Sequence, residues 1–128
     1  MIISVTADTF KLAKVFTISR GSRSQAEVLT LRLEKDGVTG WGECVPYARY
    51  DETLESVTKQ IKNLPSSFDR LELLDMLSPG AARNAVDCAL WDLEAKTKNK
   101  RVWDLIGIHN LSPQITAYTL SLESPKSM

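Results

Sequence analysis

"AEVLTLRLEKDGVTGWGECVP", Ala26 to Pro46, decides the architecture. Leu29, Leu31 and Leu33 fall on one side of an extended chain, and Val28, Thr30, Arg32 and Glu34 on the other, because side chains alternate along a strand. Asp36-Gly37 supplies the positive φ angles that a two-residue hairpin turn demands. The return strand runs from Val38 to Val45, and Pro46 ends it. Gly40 and Gly42 share one face of that strand, which leaves room there for something bulky to pack closely.

Upstream, Ile3, Val5 and Ala7 alternate with Ser4, Thr6 and Asp8, the pattern of a half-buried strand. "KVFTISRGSRSQ", Lys14 to Gln25, breaks the alternation and reads as a loop around Gly21. Downstream the period changes. Leu54, Val57 and Ile61 lie on one helical face, with Asp51 or Thr53 as the cap. "FDRLELLDML" repeats the signal with Leu71, Leu74 and Leu77. "SPGAARNAVDCALWDLEAKTKN" is the clearest helix, with Ser78 as cap and Pro79 in the first turn. Ala82, Ala85, Val86, Ala89, Leu90 and Leu93 form its stripe, rich in small residues that let a helix approach its neighbour. Val102, Trp103, Leu105 and Ile106 make a last short turn stopped by Gly107. "ITAYTLSL", Ile115 to Leu122, reads as a lone strand. Strands first and helices after define an α+β fold, a three-stranded antiparallel meander followed by a helical bundle. The expected boundaries are a domain over 1–112 and a linker with one strand over 113–128.

The bulk numbers narrow the function classes. A chain of 128 residues fits one domain, or one domain and the start of another. Sixteen acidic residues balance sixteen basic ones, so no charge excess points to nucleic acid or an anionic membrane. Cys44 and Cys88 have no CxxC spacing and read as reduced, mostly buried thiols. No apolar run approaches the roughly 18 residues of a membrane span. The N-terminus lacks the pattern of a signal peptide, and the expected location is the cytoplasm.

Catalytic patterns are scarce. The single His109 lies in a linker-like segment with no triad around it. "RGSR" carries one glycine and no phosphate-loop pattern. Asp87, Asp92 and Glu94 read as solvated or paired helix charges, and Glu43 as a side chain that satisfies loop backbone. Arg20 and Arg23 are either solvated or a bidentate clamp for a carboxylate. The loops Phe16–Gln25 and Val45–Thr53, one bearing arginines and the other aromatics, leave strands of one sheet at the same end and would form half of a pocket.

"GWGECVPYARYDET" followed by "GAARNAVDCALWDLEAKTKNKRVWDLIG" resembles the N-terminal capping domain of the enolase superfamily. The likeness covers nearly the whole chain and is closest to the muconate-lactonizing branch. "FTISRGSR" beside "PYARY" tilts it to dipeptide epimerases of the L-Ala-D/L-Glu type. The resemblance implies a lid over a (β/α)7β barrel, with "ITAYTLSL" as the first barrel strand. It implies abstraction of a proton α to a carboxylate, with a magnesium ion and lysines acting from the barrel, so no catalytic residue and no metal ligand is expected in these 128 residues. It also implies that Ile18 and Arg23 touch a small dipeptide substrate together with the barrel, with Arg20 and Tyr50 next. Asp51 follows Tyr50 where related members often carry Gly. Two alternatives stay open: an interaction module without catalysis, whether stand-alone or truncated, and the lid of o-succinylbenzoate synthase or muconate cycloisomerase. A homo-oligomer is also left open, and the chain made alone is expected to associate or to be partly disordered over 113–128.

Overall fold

A computed structural model describes residues 1–126. Its element order is β1 (Ile2–Ile18), β2 (Gly21–Lys35), β3 (Val38–Cys44), a 3-10 turn (Ala48–Tyr50), α1 (Leu54–Lys62), α2 (Arg70–Met76), α3 (Ala81–Thr97) and α4 (Val102–Leu105). The three strands form one sheet in the order β1-β2-β3. The meander and the helices that follow it bear out the α+β reading. The chain divides into two compact units: Met1–Asp8 with Val28–His109, and Thr9–Glu27 with the segment from Asn110 onward.

The first unit holds the core. β2 and β3 pair antiparallel, Leu29 opposite Cys44 and Leu33 opposite Gly40. The turn between them places Asp36 at φ 52° and Gly37 at φ 78°, as two-residue hairpins require. Leu29, Leu31 and Leu33 are buried, together with Ala82, Ala85, Val86, Ala89, Leu90 and Leu93 of α3. Gly40 and Gly42 lie directly under α3. A Cβ on Gly40 would stand 2.6 Å from the Leu93 Cβ, and one on Gly42 would stand 3.0 Å from the Ala85 carbonyl carbon. Two missing side chains on the sheet and small residues on the helix bring these backbones together.

β3 is an edge strand, and α3 covers its outer edge. The Trp41 N–H donates to Asp92 Oδ2 at 2.8 Å, and Lys96 Nζ donates to the Thr39 carbonyl at 3.0 Å and to Asp92 Oδ2 at 2.6 Å. These two edge groups are thereby satisfied, which blunts the edge there against pairing with another chain.

Local signals explain most helix starts. Thr53, not Asp51, caps α1: its Oγ1 accepts from the Ser56 N–H at 3.0 Å, and Ser56 Oγ accepts from the Thr53 N–H at 2.9 Å. Asp69 and Glu72 form the same reciprocal box at α2. The face of α2 corrects the expectation. Leu73 is fully buried, while Leu71 is 75% and Leu74 52% exposed. A helix of seven residues has room for about two inward positions, here Leu73 and the following Leu77. Arg70, at its start, stacks on Trp91 with 3.3 Å to the ring centroid and pairs with Glu94 at 2.6 Å, tying α2 to α3. Ser78 does not cap α3. The helix starts at Ala81, and the acceptor comes from a distant residue, Glu52.

In the second unit, two expectations are corrected. The stretch Lys14–Gln25 is a hairpin, not a loop: β1 continues to Ile18, Ser19 and Arg20 make the turn, and β2 begins at Gly21 with φ 141°. The alternation is lost because most of this ribbon is exposed on both faces, so neither face needs apolar residues. Thr17 Oγ1 and Ser22 Oγ, 2.9 Å apart, hydrogen-bond across the turn. Ile115–Leu122 forms no strand among the described residues. A strand exists through its ladder, and this segment instead meets β1 through the Leu122 N–H on the Thr17 carbonyl at 2.8 Å and a Thr17 N–H bond to Ser121 Oγ at 3.0 Å. The last two residues of the expected 113–128 segment lie outside the described residues.

Candidate functional site

The Val45–Thr53 segment is built on an unusual sequence of constraints. Pro46 stops β3, and Tyr47 to Tyr50 close a single 3-10 turn through a 2.8 Å bond from the Tyr50 N–H to the Tyr47 carbonyl. Asp51 then adopts the left-handed conformation, φ 56° and ψ 30°. Gly is the usual occupant of this conformation, and Asp is among the few other residues that enter it readily. Tyr47 and Tyr50 rings meet with centroids 5.9 Å apart at 50°. Tyr50 is 70% exposed.

Glu52 holds this turn in place. Its Oε1 accepts from the Ala81 N–H at 2.6 Å, and its Oε2 accepts from the Tyr47 N–H at 3.3 Å. One carboxylate thus caps the first turn of α3 and anchors the start of the tyrosine turn. An ionised acid at a helix N-terminus is also favoured by the backbone dipoles there. Gly80 makes the approach possible, since a Cβ there would lie 2.7 Å from Glu52 Oε1. The role expected of Glu43, satisfying loop backbone, belongs to Glu52 instead. No local pattern reveals this, because Ala81 lies far along the chain. Cys44 is buried near the same carboxylate. Burial, then Glu52 and then Glu43, push its thiol up to about 11.

Of the four residues expected at a substrate site, Ile18, Arg20 and Arg23 belong to the hairpin of the second unit. Ile18 ends β1 and is half-buried, Arg20 is an exposed turn residue, and Arg23 is an exposed position of β2. Tyr50 belongs to the first unit. The cysteine expectation needs one correction: Cys44 is buried but Cys88 is exposed, and both are free.

Elsewhere in the first unit, a cavity of about 680 Å³ is lined by residues that include Asp36, Val38, Phe68, Arg70, Leu93 and Glu94. Among the described residues, no group of three or more His, Cys, Asp or Glu side chains could hold a metal ion.

A three-stranded antiparallel meander, closed by a long small-residue helix and followed by a stapled aromatic turn, defines an enolase-type N-terminal capping domain. Residues 2–107 match the profile of the mandelate racemase / muconate lactonizing enzyme N-terminal domain, and the chain belongs to that family. The L-Ala-D/L-Glu epimerase of Escherichia coli K12 is 44% identical over 130 aligned residues, covering 98% of this chain and 40% of that enzyme. The N-acetyl-D-glutamate racemase of a Pseudoalteromonas species is 48% identical over 95 residues, 70% of this chain and 30% of its own length. An enolase family member from Agrobacterium tumefaciens with homology to dipeptide epimerases, solved with sodium and L-Ala-L-Glu bound and with an ordered loop, superposes with a TM-score of 0.86. It is 43% identical over 98% of this chain and 40% of that one. The chain therefore spans well under half the length of these relatives.

Proposed function

We propose that this chain is the substrate-specificity lid of a magnesium-dependent epimerase that inverts the α-carbon of glutamate in dipeptides such as L-Ala-D/L-Glu. The observation that carries the reading is the 44% identity to an L-Ala-D/L-Glu epimerase across 98% of the chain. The chemistry of the class is removal of the proton α to a carboxylate and its return to the opposite face. That requires a site from which water is excluded, and a lid supplies the exclusion. The residues described here fit no metal site. Magnesium is expected to be held by the rest of the protein.

In this reading Ile18 and Arg23 contact the substrate, and Arg20 and Tyr50 are the next candidates. A guanidinium matches the fork of a glutamate side-chain carboxylate. Arg23→Ala in the intact enzyme raises KM for dipeptides ending in Glu and spares small neutral ones. Equal loss on both classes counts against a carboxylate clamp. Two free cysteines suit the reducing cytoplasm, where we place the protein.

A second reading has its own support, the 48% identity to an N-acetyl-D-glutamate racemase. Both candidate substrates are N-acylated glutamates, and the acyl group of the dipeptide carries a free ammonium and an extra methyl group that acetyl lacks. Comparing kcat/KM for L-Ala-D-Glu and N-acetyl-D-glutamate decides between them. A preference for the dipeptide of tenfold or more supports the first, and the reverse preference supports the second.

A further inference from the structure

We propose that Glu52 is a positioning residue for substrate selectivity: it fixes the Tyr47–Tyr50 turn to the first turn of α3 and so sets where the Tyr50 ring stands. The inference rests on the reading of Tyr50 as a substrate-side residue. It is carried by three observations in the first unit. The Glu52 carboxylate bridges two backbone N–H groups, Ala81 at 2.6 Å and Tyr47 at 3.3 Å, which belong to the helix and to the turn respectively. Gly80 leaves the space that the carboxylate occupies. Between Tyr47 and Glu52 the chain makes only a one-turn 3-10 segment, with no buried residue, and the left-handed Asp51. A turn with so little packing depends on its hydrogen bonds for a fixed position. The Tyr50 ring, exposed and touching Tyr47, moves with the backbone that Glu52 anchors.

The variants separate positioning from folding. Glu52→Ala removes both acceptors. Glu52→Gln keeps one oxygen for the Ala81 N–H and gives up the acceptor for Tyr47. In the intact enzyme, Glu52→Ala is expected to raise KM for L-Ala-L-Glu about tenfold while kcat per active site changes less than about twofold, with Glu52→Gln in between. Tyr50→Ala combined with Glu52→Ala is expected to cost little more than Tyr50→Ala alone, since both act through one ring. Hydrogen exchange gives a readout independent of activity: the Tyr47 and Ala81 amides are expected to exchange faster in Glu52→Ala, and only Tyr47 in Glu52→Gln.

Unchanged KM with a fall in active protein would make Glu52 a fold-stabilising residue only. Full additivity with Tyr50→Ala would overturn the route through Tyr50. If the unaltered enzyme epimerises no dipeptide, the epimerase reading falls and takes the link to selectivity with it. The exchange pattern still decides whether the anchor exists, and unchanged exchange at both amides refutes it.

Discussion

Gly42 lies against the backbone of Ala85 so closely that a Cβ on the glycine would stand 3.0 Å from the Ala85 carbonyl carbon, and closer still to its oxygen. The sheet and α3 meet backbone to backbone at this point. Backbone cannot be moved aside like the end of a flexible side chain, so Gly42→Ala is expected to destabilise the fold by about 3 kcal/mol or more. Chemical denaturation checks this. A loss below about 1 kcal/mol would mean that α3 shifts freely on the sheet.

The same contact shows why so much of the fold was legible. Leu29, Leu31 and Leu33 alternate because one face is buried, and Gly40 and Gly42 keep the same period on the partner strand. The hairpin Thr9–Glu27 was not legible, because a ribbon exposed on both faces has no reason to alternate. The face of α2 is ambiguous in sequence for a related reason: over seven residues, Leu71 and Leu74 fit the helical period as well as Leu73 does. At the candidate site, the aromatic turn could be seen in "PYARY". Glu52 could not be assigned, because its helix partner, the Ala81 N–H, becomes adjacent only after folding.

Asp51 sits at φ 56°. A β-branched side chain is excluded from this conformation, so Asp51→Val is expected to cost about 1–2 kcal/mol. Asp51→Gly is expected to stay within about 1 kcal/mol of the parent, since relief of strain is offset by greater freedom of the unfolded chain. Thermal denaturation of the pair measures both. Equal stability of the Val and Gly variants would contradict the left-handed turn.

Cys44 and Cys88 should part in reactivity. A thiol-reactive disulfide is expected to label Cys88 in the native protein and Cys44 only on unfolding, since only Cys88 is exposed. The Cys44 thiol is pushed up to about 11 from 9.0, so its neutral form is favoured by the fold. The corresponding stability is fully present below pH 9 and is lost as pH rises from there toward 11. Cys44→Ala is expected to flatten that alkaline limb. An unchanged limb would place its cause elsewhere.

Glu94 works at the acid end. The hydrogen bond from Lys98 is the largest influence and burial, which opposes it, the second; with the charges of Arg70 and Lys98 added, the carboxyl is held below the usual range. The ionised form is therefore favoured by the fold, and its contribution is present above the ordinary carboxylate pKa and lost as pH falls through the lowered one. The pair is partly exposed, so the effect is expected to be about 1 kcal/mol or less. The stability gap between the parent and Glu94→Gln should close as pH falls below the ordinary carboxylate value of 4.5. A gap that stays constant with pH would show that the charge is irrelevant.

The most direct test of the epimerase reading is solvent exchange at carbon. The intact protein is incubated in D2O with L-Ala-L-Glu and magnesium, and the glutamate α-proton is followed by NMR. The account predicts loss of that proton with appearance of the L-Ala-D-Glu diastereomer. Retention of the α-proton by both L-Ala-L-Glu and L-Ala-D-Glu would contradict it.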